Sequence, residues 1–541
     1  MQEAIKNIIR ENQEEAVDRK RLEEIKRDYC KRYGLKSILN SDLFREYRLL
    51  VEAGEMSRSQ SWEKVLRKRS VRTISGIAPV AVLTKPYPCP GTCAYCPHQE
   101  DVPVSYLSNE PAVMRAIRCD YDPYKQTALR LQALENNGHE PTKIEIIVIG
   151  GTWSYLPKKY KYWYIANCFK AANDYSRLRK KLAVFNGGKK EEAFKLRLKA
   201  AYRASDSFVS LNEALIREQK KNESAQYRII GLTLETRPDY IDQREVVEMR
   251  ELGCTRVEMG VQAIDDKILE INKRGHGIKE IVMATKLLRE YGFKVTYHIM
   301  PALPGSSPAK DLKMFKQLFT DERFQPDQIK FYPTVVTEGS LLYKWYQQGK
   351  YKPYSDKVLQ KLILNCKEVV PEYVRIIRLI RDIPGESIIA GNKITNLRQV
   401  MQDKGVRCRC IRCREVRGGE ILAPHINITS YLSSGGREYF ISADSEDGKV
   451  LYGFCRLRLD ATGPIAPALI RELHVYGELV SIGNQKKVQH SGLGRKLLAK
   501  AEEITRIENL SKIAVISGVG VRGYYRKFGY RLQDTYLIKK I

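Results

Sequence analysis

Apolar positions along this chain recur with one period up to about residue 70 and with another beyond it. In the first part they return every three to four residues, as in LKSILNSDLFREYRLLVEA, and predict amphipathic helices. From VRTISGIAPVAVLT onward, short runs rich in β-branched residues are separated by helical segments such as IKEIVMATKLLREYG. Strands and helices that alternate in this way predict βαβ units and a parallel sheet or barrel.

The predicted strands of this part are KIEIIVIGGTW, QYRIIGLTLETRP, CTRVEMGVQA, FKVTYHIMPALPG and QIKFYPTVV. In folds of this class, sites lie at the C-terminal ends of the strands. The alternation stops at the basic stretch DKGVRCRCIRCREVR, and a smaller domain with strands, a glycine turn and a helix follows. We therefore expect an α/β protein in four parts: a helical region at 1–74, a partial barrel at 75–400, a cysteine-rich linker at 401–425 and a small α/β domain at 426–541.

The composition narrows the class of protein. A chain of 541 residues is too long for one hydrophobic core, and a hydrophobic fraction of 43% excludes wholesale disorder. Neither a secretory signal pattern nor an apolar run of about eighteen residues is present, so we expect a cytoplasmic protein without a membrane span. The twelve cysteines include two tight groups, which indicate metal ligation in a reducing compartment rather than a disulfide framework.

The formal net charge of +29 predicts a polyanionic partner, because neutralised phosphates release counterions and so favour binding. Residues 155–204 carry fourteen Lys or Arg against three acidic residues. The alternative is a solvated basic surface without a nucleic-acid partner. The same stretch contains aromatic residues that would suit stacking on RNA bases, although some of them are expected in the core: Tyr155, Tyr160, Tyr162, Trp163, Tyr164, Phe169 and Tyr175.

Three cysteines lie on the loop TKPYPCPGTCAYCPHQ at 84–99, which we call the cysteine loop. Cys89, Cys93 and Cys96 have the spacing C-x3-C-x2-C, and three thiolates leave one iron of a [4Fe-4S] cluster without a protein ligand. Such an iron is free to chelate S-adenosylmethionine. The spacing resembles the signature of the radical S-adenosylmethionine enzymes, and the alternative is a zinc site completed by His98.

Glycines and polar residues also occur where the predicted barrel strands end. Gly150, Gly151 and Thr152 follow one strand, where glycine lets the backbone approach a cofactor closely. Lys330 is a catalytic candidate that could pair a carboxylate or a phosphate, or face solvent. Taken singly, each strand-end residue could instead be structural. The other candidates for cofactor or substrate contacts at strand ends are Glu235, Arg237, Glu258, Gln262 and His298.

A second cysteine group, Cys408, Cys410 and Cys413, lies in CRCIRC. Three soft ligands need a fourth to close a tetrahedral site, and we expect structural zinc with His425 as one candidate for the last position. Reduced cysteines without a metal are the alternative. The arginines that flank this group suit contact with phosphate.

The smaller domain has a glycine turn directly before an amphipathic helix, in VQHSGLGRKLLAKAEEI. Backbone amides at such a helix N-terminus bind a pyrophosphate. The pattern resembles the coenzyme A loop of the GNAT acetyltransferases, whose fold presents a phenol near the thioester where Tyr524 and Tyr525 fall, and one of these two is expected in the core. The resemblance implies acetyl-CoA contacts from His474, Val475, Gln489, Gly492, Leu493, Gly494, Arg495 and Tyr525.

Together these motifs resemble the family of the Elongator catalytic subunit, the tRNA wobble-uridine enzyme, from about residue 75 to the C-terminus. The cysteine loop is shorter than in the eukaryotic members. CRCIRC is similar to the bacterial and archaeal forms, which implies a stand-alone enzyme without obligate subunits and leaves a homodimer open. Further stretches that carry the resemblance are EPAVMRAIRCDYDPYKQT, IGGTWSYLP, RLIRDIPGESIIAGN, RELHVYG and KIAVISGVGVRGYYRKFGY.

The resemblance implies carboxymethylation at C5 of uridine 34 in the anticodon stem-loop of tRNA. The basic helical region at 1–74 is then expected to bind the tRNA backbone. The acetyl group of acetyl-CoA would be the carbon source, and a 5′-deoxyadenosyl radical from S-adenosylmethionine would activate it. Tyr524, Tyr525 and Lys330 are the expected catalytic residues. The rival hypotheses are a protein lysine acetyltransferase with a structural iron–sulfur cluster and a tRNA-binding scaffold without activity.

Overall fold

The protein, seen here in a computed structural model, is described over residues 2–12, 17–67, 76–184, 192–193, 195, 197–394, 397–403, 408–416, 424–477 and 492–541. Two seven-stranded sheets organise it, one parallel and one mixed. The predicted α/β fold class, a partial barrel followed by a cysteine-rich segment and a smaller α/β domain, is confirmed. In the described part of the chain, no helix combines the length and apolarity needed to cross a bilayer.

The N-terminal region forms four helices around a small core of its own. Its buried side chains include Ile8, Leu22, Leu43 and Trp62, which return at helical spacing as the apolar pattern predicts. The region contacts the barrel through Glu52, which pairs with Arg179. The helices are α1 Gln2–Glu11, α2 Arg19–Arg32, α3 Asn40–Glu52 and α4 Gln60–Leu66.

The first sheet runs in sequence order with every strand parallel, so each connection crosses over outside the sheet. Its strands are β1 Ala78–Leu83, β2 Lys143–Ile149, β3 Arg228–Thr236, β4 Arg256–Gln262, β5 Lys294–Ile299, β6 Gln328–Phe331 and β7 Arg375–Arg378. The helices of this part are α5 Pro111–Ile117, α6 Pro123–Asn136, α7 Lys158–Val184, α8 Phe208–Asn222, α9 Gln243–Glu251, α10 Asp266–Ile271, α11 Ile278–Glu290, α12 Pro308–Thr320, α13 Leu341–Gln347, α14 Asp356–Glu368 and α15 Leu397–Asp403.

The two faces of this sheet differ in chemistry because successive side chains of a strand point to opposite faces. On β5, Tyr297 faces the helices and hydrogen-bonds Thr285 of α11. Its neighbour Thr296 points to the other face and donates to Gln328 of β6 at 3.1 Å. The inner face of the half-barrel is therefore polar, whereas the outer face is apolar and covered by helices.

Helix α7 corrects one interpretation of the sequence. The side chains of Tyr160, Tyr162, Tyr164, Phe169 and Tyr175 are buried. These five rings belong to the main hydrophobic core and are not open to RNA bases. Of the aromatic residues named for this stretch, Tyr155 is the exposed one, at 42%.

The second sheet has the strand order β13-β14-β12-β11-β10-β9-β8. Its parallel pair is β11 with β12, and the other neighbouring pairs are antiparallel. The strands are β8 His425–Ser433, β9 Gly436–Asp444, β10 Leu451–Leu459, β11 Ala468–Val475, β12 Lys512–Val515, β13 Arg531–Gln533 and β14 Tyr536–Lys540. The helices are α16 Ile411–Arg414, which precedes the sheet, α17 Leu493–Ile507 and α18 Arg522–Arg526.

A buried charge network joins the two sheets. The bulge in β11 opposite β10 leaves Arg471 out of the strand register, and Arg471 donates to both carboxylate oxygens of Asp327 at 2.7 and 2.8 Å. Arg456 and Arg289 approach the same carboxylate at 3.5 and 3.6 Å, and Arg289 also pairs with Glu438 at 3.0 Å. All five side chains are at most 1% exposed.

The network lies at the end of the barrel where the strands begin. Asp327 immediately precedes β6, and Arg471 also donates to the carbonyl of Phe293, which precedes β5. On β3, the Ile230 carbonyl lies so close to Gly518 that a Cβ there would come within 2.0 Å of its oxygen. The second domain therefore docks on the N-terminal ends of the barrel strands, opposite the end that carries the cysteine loop.

Loss of the Asp327 charge is predicted to destabilise the protein. In Asp327→Asn, three buried guanidinium groups lose their shared carboxylate, so we expect the free energy of unfolding to fall by about 3–5 kcal/mol. Urea unfolding measures this change. Asp321→Asn is the matched control, since its partner Arg323 has a 55% exposed side chain and the loss should stay below about 1 kcal/mol.

The difference in unfolding free energy between wild type and Asp327→Asn is also predicted to depend on pH. Burial opposes the charged form of Asp327, but Arg289, Arg471 and Arg456 outweigh it and hold the pKa of this carboxyl far below its ordinary value. A depressed native pKa gives stability that is present above the unfolded pKa of about 3.9 and is lost as the pH falls below it. The stability difference between wild type and Asp327→Asn should therefore narrow below about pH 4, and a constant difference down to pH 2 would contradict this account.

Candidate active sites

The cysteine loop follows β1 and brings its three thiols to the C-terminal end of the half-barrel. Cys93 is 5% exposed, whereas Cys89 and Cys96 are half-buried. The Cys93 thiol hydrogen-bonds that of Cys96, and two guanidinium groups face its sulfur: Nη1 of Arg274 at 3.1 Å and Nη1 of Arg237 at 3.8 Å. The Cys96 hydrogen bond and these guanidiniums outweigh burial and lower the pKa of Cys93 to about 4.

This loop fits an iron–sulfur cluster on the evidence of its own charges. Two buried cations face a cysteine sulfur, and one carboxylate, Asp239, pairs with Arg237 at 2.8 Å. A thiolate ligand set supplies the negative charge that such cations require. Among the described residues, neither His98 nor the three cysteines of this loop belong to a compact group of metal ligands.

The glycines after β2 lie against the start of this loop. Gly150 and Gly151 have φ of +122° and +104°, a region that favours glycine. A Cβ on Gly150 would lie 2.4 Å from Oγ1 of Thr84, which donates to the Gly150 carbonyl at 3.0 Å. Thr152 follows, with its hydroxyl 3.9 Å from the Cys89 sulfur. The predicted cofactor residues of this segment therefore border the cysteine loop directly.

The strand-end residues of β3 to β6 meet on the polar inner face. Nε2 of His298 lies 3.1 Å from Glu258, whose carboxylate also accepts a hydrogen bond from Lys330. Nδ1 of His298 lies 3.6 Å from Glu235, which accepts from the Tyr106 hydroxyl at 3.2 Å. Four residues predicted separately from four strands thus form one continuous network.

Charge is held in this network despite burial. Glu258 is 1% exposed, and burial alone would raise its pKa, but Lys330 and His298 hold the pKa well below its ordinary value. Glu258 likewise outweighs the effect of burial on Lys330 and raises its pKa. Lys330 is therefore a charged ammonium paired with a carboxylate, one of the two roles expected for it, and it does not face solvent.

Gln262 ends β4 with a φ of +70°, which is unusual for a residue other than glycine. The strand register between β4 and β5 shifts between Met259 and Gln262. The side-chain oxygen Oε1 of Gln262 is buried without a hydrogen-bond partner. A strained residue with an unused buried acceptor at a strand end fits contact with a bound ligand.

The second cysteine group is compact. The sulfur atoms of Cys408, Cys410 and Cys413 all lie within 4.8 Å of one another, and no fourth ligand joins them among the described residues. His425 begins β8 and pairs in register with Asp444, outside this group. Cys410 is the N-cap of α16, so the short helix and its preceding turn bring the three thiols together.

In the second sheet, β11 leaves its parallel neighbour after three residues. Ala468 to Ile470 pair with β12, whereas His474 and Val475 lie beyond the last pair. The helix α17 begins beside this opening, with Gly492 as its N-cap at φ +81° and Leu493 buried. A Cβ on Gly494 would lie 2.7 Å from the Tyr524 hydroxyl and 3.7 Å from Val475. Gln489 lies outside the described residues, and Arg495 is exposed.

The two predicted tyrosines differ in environment. Tyr525 is 6% exposed and packs in the core against Tyr530, at a ring-centroid distance of 6.0 Å. Tyr524 is 36% exposed and stands at the opening beside Gly494. Burial raises the pKa of Tyr524 to about 12, so its phenol keeps its proton at neutral pH.

Two family models match the barrel. The Radical SAM superfamily model matches residues 87–318, and the Radical_SAM C-terminal domain model matches residues 326–405. A tRNA uridine(34) acetyltransferase of Dehalococcoides mccartyi is 44% identical over 88% of this chain and 100% of its own length. Elongator complex protein 3 of Homo sapiens is 36% identical over 88% of this chain and 86% of its own length.

The chain belongs to the Elongator complex protein 3 family. A solved structure of this family, archaeal Methanocaldococcus infernus Elp3 with an N-terminal deletion, is similar with a TM-score of 0.70 and 37% identity. It covers 87% of this chain, and this chain covers all of it. The full-length tRNA uridine(34) acetyltransferase of the same organism is 39% identical over 99% of this chain and 98% of its own length. Membership in the family confirms the resemblance drawn from the motifs.

The Radical SAM match implies a [4Fe-4S] cluster and S-adenosylmethionine in this family member. Several residues around that site were not singled out from the sequence. Arg274 and Asp239 contact the Cys93 environment, and Tyr106 and Arg381 extend the strand-end network, with the Arg381 guanidinium 4.9 Å from the Tyr106 ring. The alternation of polar residues along β3 to β6 is the signal that could have predicted the network as a whole.

Metal analysis of variants tests whether the cysteine loop is the group that binds iron. Cys93→Ala removes a buried thiol of the cysteine loop, so we expect iron and the brown absorbance of the anaerobically reconstituted protein to be lost. Cys366→Ala is the matched control, because this buried thiol packs near α12 and should leave iron unchanged. A colourless wild type would contradict the assignment of the loop.

Proposed function

We propose that this protein is a tRNA uridine(34) acetyltransferase that attaches a carboxymethyl group to C5 of the wobble uridine. The observation that carries the proposal is the presence, in one chain, of a cysteine loop at the C-terminal end of a polar half-barrel and of a glycine turn beside two strands that separate. The first arrangement suits radical initiation and the second suits acetyl-CoA. Neither a lysine acetyltransferase nor a tRNA scaffold needs the first.

Cys89, Cys93 and Cys96 would hold the iron–sulfur cluster, and the backbone of Gly150 and Gly151 would approach S-adenosylmethionine. When bound, these groups supply a 5′-deoxyadenosyl radical. A radical route suits this reaction because C5 of uracil has no acidic proton and the acetyl methyl group is a poor carbanion at neutral pH. The protein contributes positioning and the exclusion of water.

The polar inner face would receive the wobble base. Lys330 and Glu258 form an ion pair, and His298 and Glu235 lie beside it. These groups would provide hydrogen-bond donors and acceptors for a uracil edge. A flipped anticodon base is the expected presentation, since the reacting carbon is otherwise stacked. Lys330 acts here by orienting groups rather than as a base, because Glu258 keeps it protonated.

Acetyl-CoA would bind where β11 and β12 separate. The amides at the start of α17, after Gly492, would bind the pyrophosphate, and His474 and Val475, beyond the last β11–β12 pair, would line the site. The protonated phenol of Tyr524 would donate a hydrogen bond to the thioester region or to the leaving thiolate. Tyr525 supports this site from the core.

Structural zinc on Cys408, Cys410 and Cys413 completes the proposal. The close thiols fit a soft tetrahedral ion, and their position between the barrel and the second sheet suits a metal that stabilises the contact between the two. Arg414, adjacent to this group, bonds the Glu372 carbonyl at 2.9 Å and Asp444 at 2.7 Å. Zinc loss in Cys410→Ala with retained iron would support this assignment.

The partner in this proposal is the anticodon stem-loop of tRNA, which fits a chain of net charge +29. The enzyme acts in the cytoplasm, where tRNA is modified, and needs no second subunit because both candidate sites lie in this chain. Exposed basic side chains rather than the buried rings of α7 would contact the RNA backbone.

The direct test is a product assay. Reconstituted protein is incubated anaerobically with tRNA, S-adenosylmethionine, a reductant and acetyl-CoA, and the digested RNA is analysed by mass spectrometry. We expect 5-carboxymethyluridine that depends on every component. Absence of this nucleoside together with efficient acetylation of peptides would favour a protein acetyltransferase instead.

Paired tyrosine variants test the acetyl-CoA site. We expect Tyr524→Phe to lower the rate of product formation about a hundredfold, because a proton donor at the thioester is lost. Tyr525→Phe should leave the rate nearly unchanged, because its ring stays packed in the core and the loss of one buried hydroxyl, about 1 kcal/mol, affects the stability of the fold rather than the reaction. Equal losses in the two variants would contradict the assignment, and the iron–sulfur spectrum should be unchanged in both.

A further inference from the structure

The environment of Cys93 contains an arrangement that the proposed reaction does not by itself require. Arg237 and Arg274 are 5% and 6% exposed, and both guanidinium groups face the same sulfur. Burial of two like charges side by side is unfavourable unless an anion compensates them. We therefore expect the two arginines to compensate a negative charge close to the Cys93 sulfur.

The surrounding structure holds each guanidinium in place. Arg237 binds Asp239 with two hydrogen bonds, of 3.0 and 2.8 Å, and donates to the Arg274 carbonyl at 2.8 Å. Arg274 donates to the carbonyl of Gly260. Asp239 in turn lies 3.2 Å from Nδ1 of His276. Both cations are thus fixed before any cofactor binds.

Two glycines make room for these side chains. A Cβ at Gly91, inside the cysteine loop, would lie 2.1 Å from Nη1 of Arg237, and a Cβ at Gly260 would lie 2.6 Å from Nη2 of Arg274. Neither glycine has a positive φ. They are required for space rather than for backbone conformation, and the space is filled by a guanidinium in each case.

The charges around Cys93 do not balance without a further anion. Among the described residues, Asp239 is the one carboxylate that pairs with either arginine. Burial lowers the pKa of His276, which leaves it neutral at neutral pH. Two cations therefore face one carboxylate, and the excess positive charge points at the Cys93 sulfur.

We propose that Arg237 and Arg274 are positioning residues that raise the reduction potential of the iron–sulfur cluster by hydrogen bonding to the Cys93 sulfur. The inference rests on the proposed function, because it presumes that Cys93 ligates the cluster. One-electron reduction adds a negative charge to the cluster, and fixed donors to a ligand sulfur stabilise that charge. A cluster tuned in this way is easier to reduce before it cleaves S-adenosylmethionine.

The test is a redox titration of the reconstituted full-length protein, followed by the electron paramagnetic resonance signal of the reduced cluster. We expect Arg274→Gln to lower the ratio of reduced to oxidised cluster at a fixed potential about tenfold, which corresponds to about 59 mV for one electron. Arg237→Gln should act in the same direction but less, because its nitrogen is farther from the sulfur. Arg274→Lys, which keeps the charge, should recover part of the shift.

Arg323→Gln serves as the matched control, since its side chain is exposed and distant in the fold, on the loop after α12. Unchanged potentials in Arg274→Gln and Arg237→Gln with full iron content would overturn the inference. So would an unchanged potential with weakened binding of S-adenosylmethionine, because the arginines would then serve that cofactor rather than the cluster.

If Arg274→Gln takes up no iron, the titration of Arg237→Gln and Arg274→Lys decides, and wild-type potentials in both would overturn the inference. Failure of the proposed function gives a different result. A wild type that forms no cluster would overturn that function and this inference with it, whereas a wild-type cluster whose potential the variants leave unchanged overturns only the inference.

Discussion

The relation between the two domains depends on the carboxylate of Asp327. It lies in the interior with three arginines around it, and Arg471 reaches it from the other sheet through a bulge in β11. Charges removed from water are tolerated only when partners and hydrogen bonds are in place, so this network permits one arrangement of the domains and penalises others. A hydrophobic interface of the same size would be less selective in orientation.

That arrangement has a consequence for the proposed chemistry. The second domain docks where the barrel strands begin, and the cysteine loop lies where they end. Seven residues of β4 span about 23 Å. In the proposed reaction, an acetyl unit bound in the second domain would have to travel about the length of a barrel strand to reach the cysteine loop.

Close approach is the second constraint on the site. Gly150 must adopt a positive φ beside Thr84, whereas Gly91 and Gly260 leave space for two guanidinium groups. Glycine is required at these positions for different physical reasons, although the residues look alike in the sequence. The first lets the backbone turn beside Thr84, and the other two let buried cations reach a cysteine sulfur.

The sequence alone determined the parallel barrel, the mixed second domain, the cysteine loop and the glycine turn before α17, because these depend on periodicity and on residues close together in the chain. Residues that act across long separations required the tertiary structure. Arg274 lies 181 positions from Cys93, and no motif around Arg274 marks it in the sequence as a neighbour of that cysteine. The burial of Tyr525 beside the exposed Tyr524, and of the rings of α7, was likewise decided by packing, since successive residues of a helix point in directions about 100° apart and only one face meets the core. The aromatic rings of α7 that composition suggested for base stacking are instead packed in the hydrophobic core.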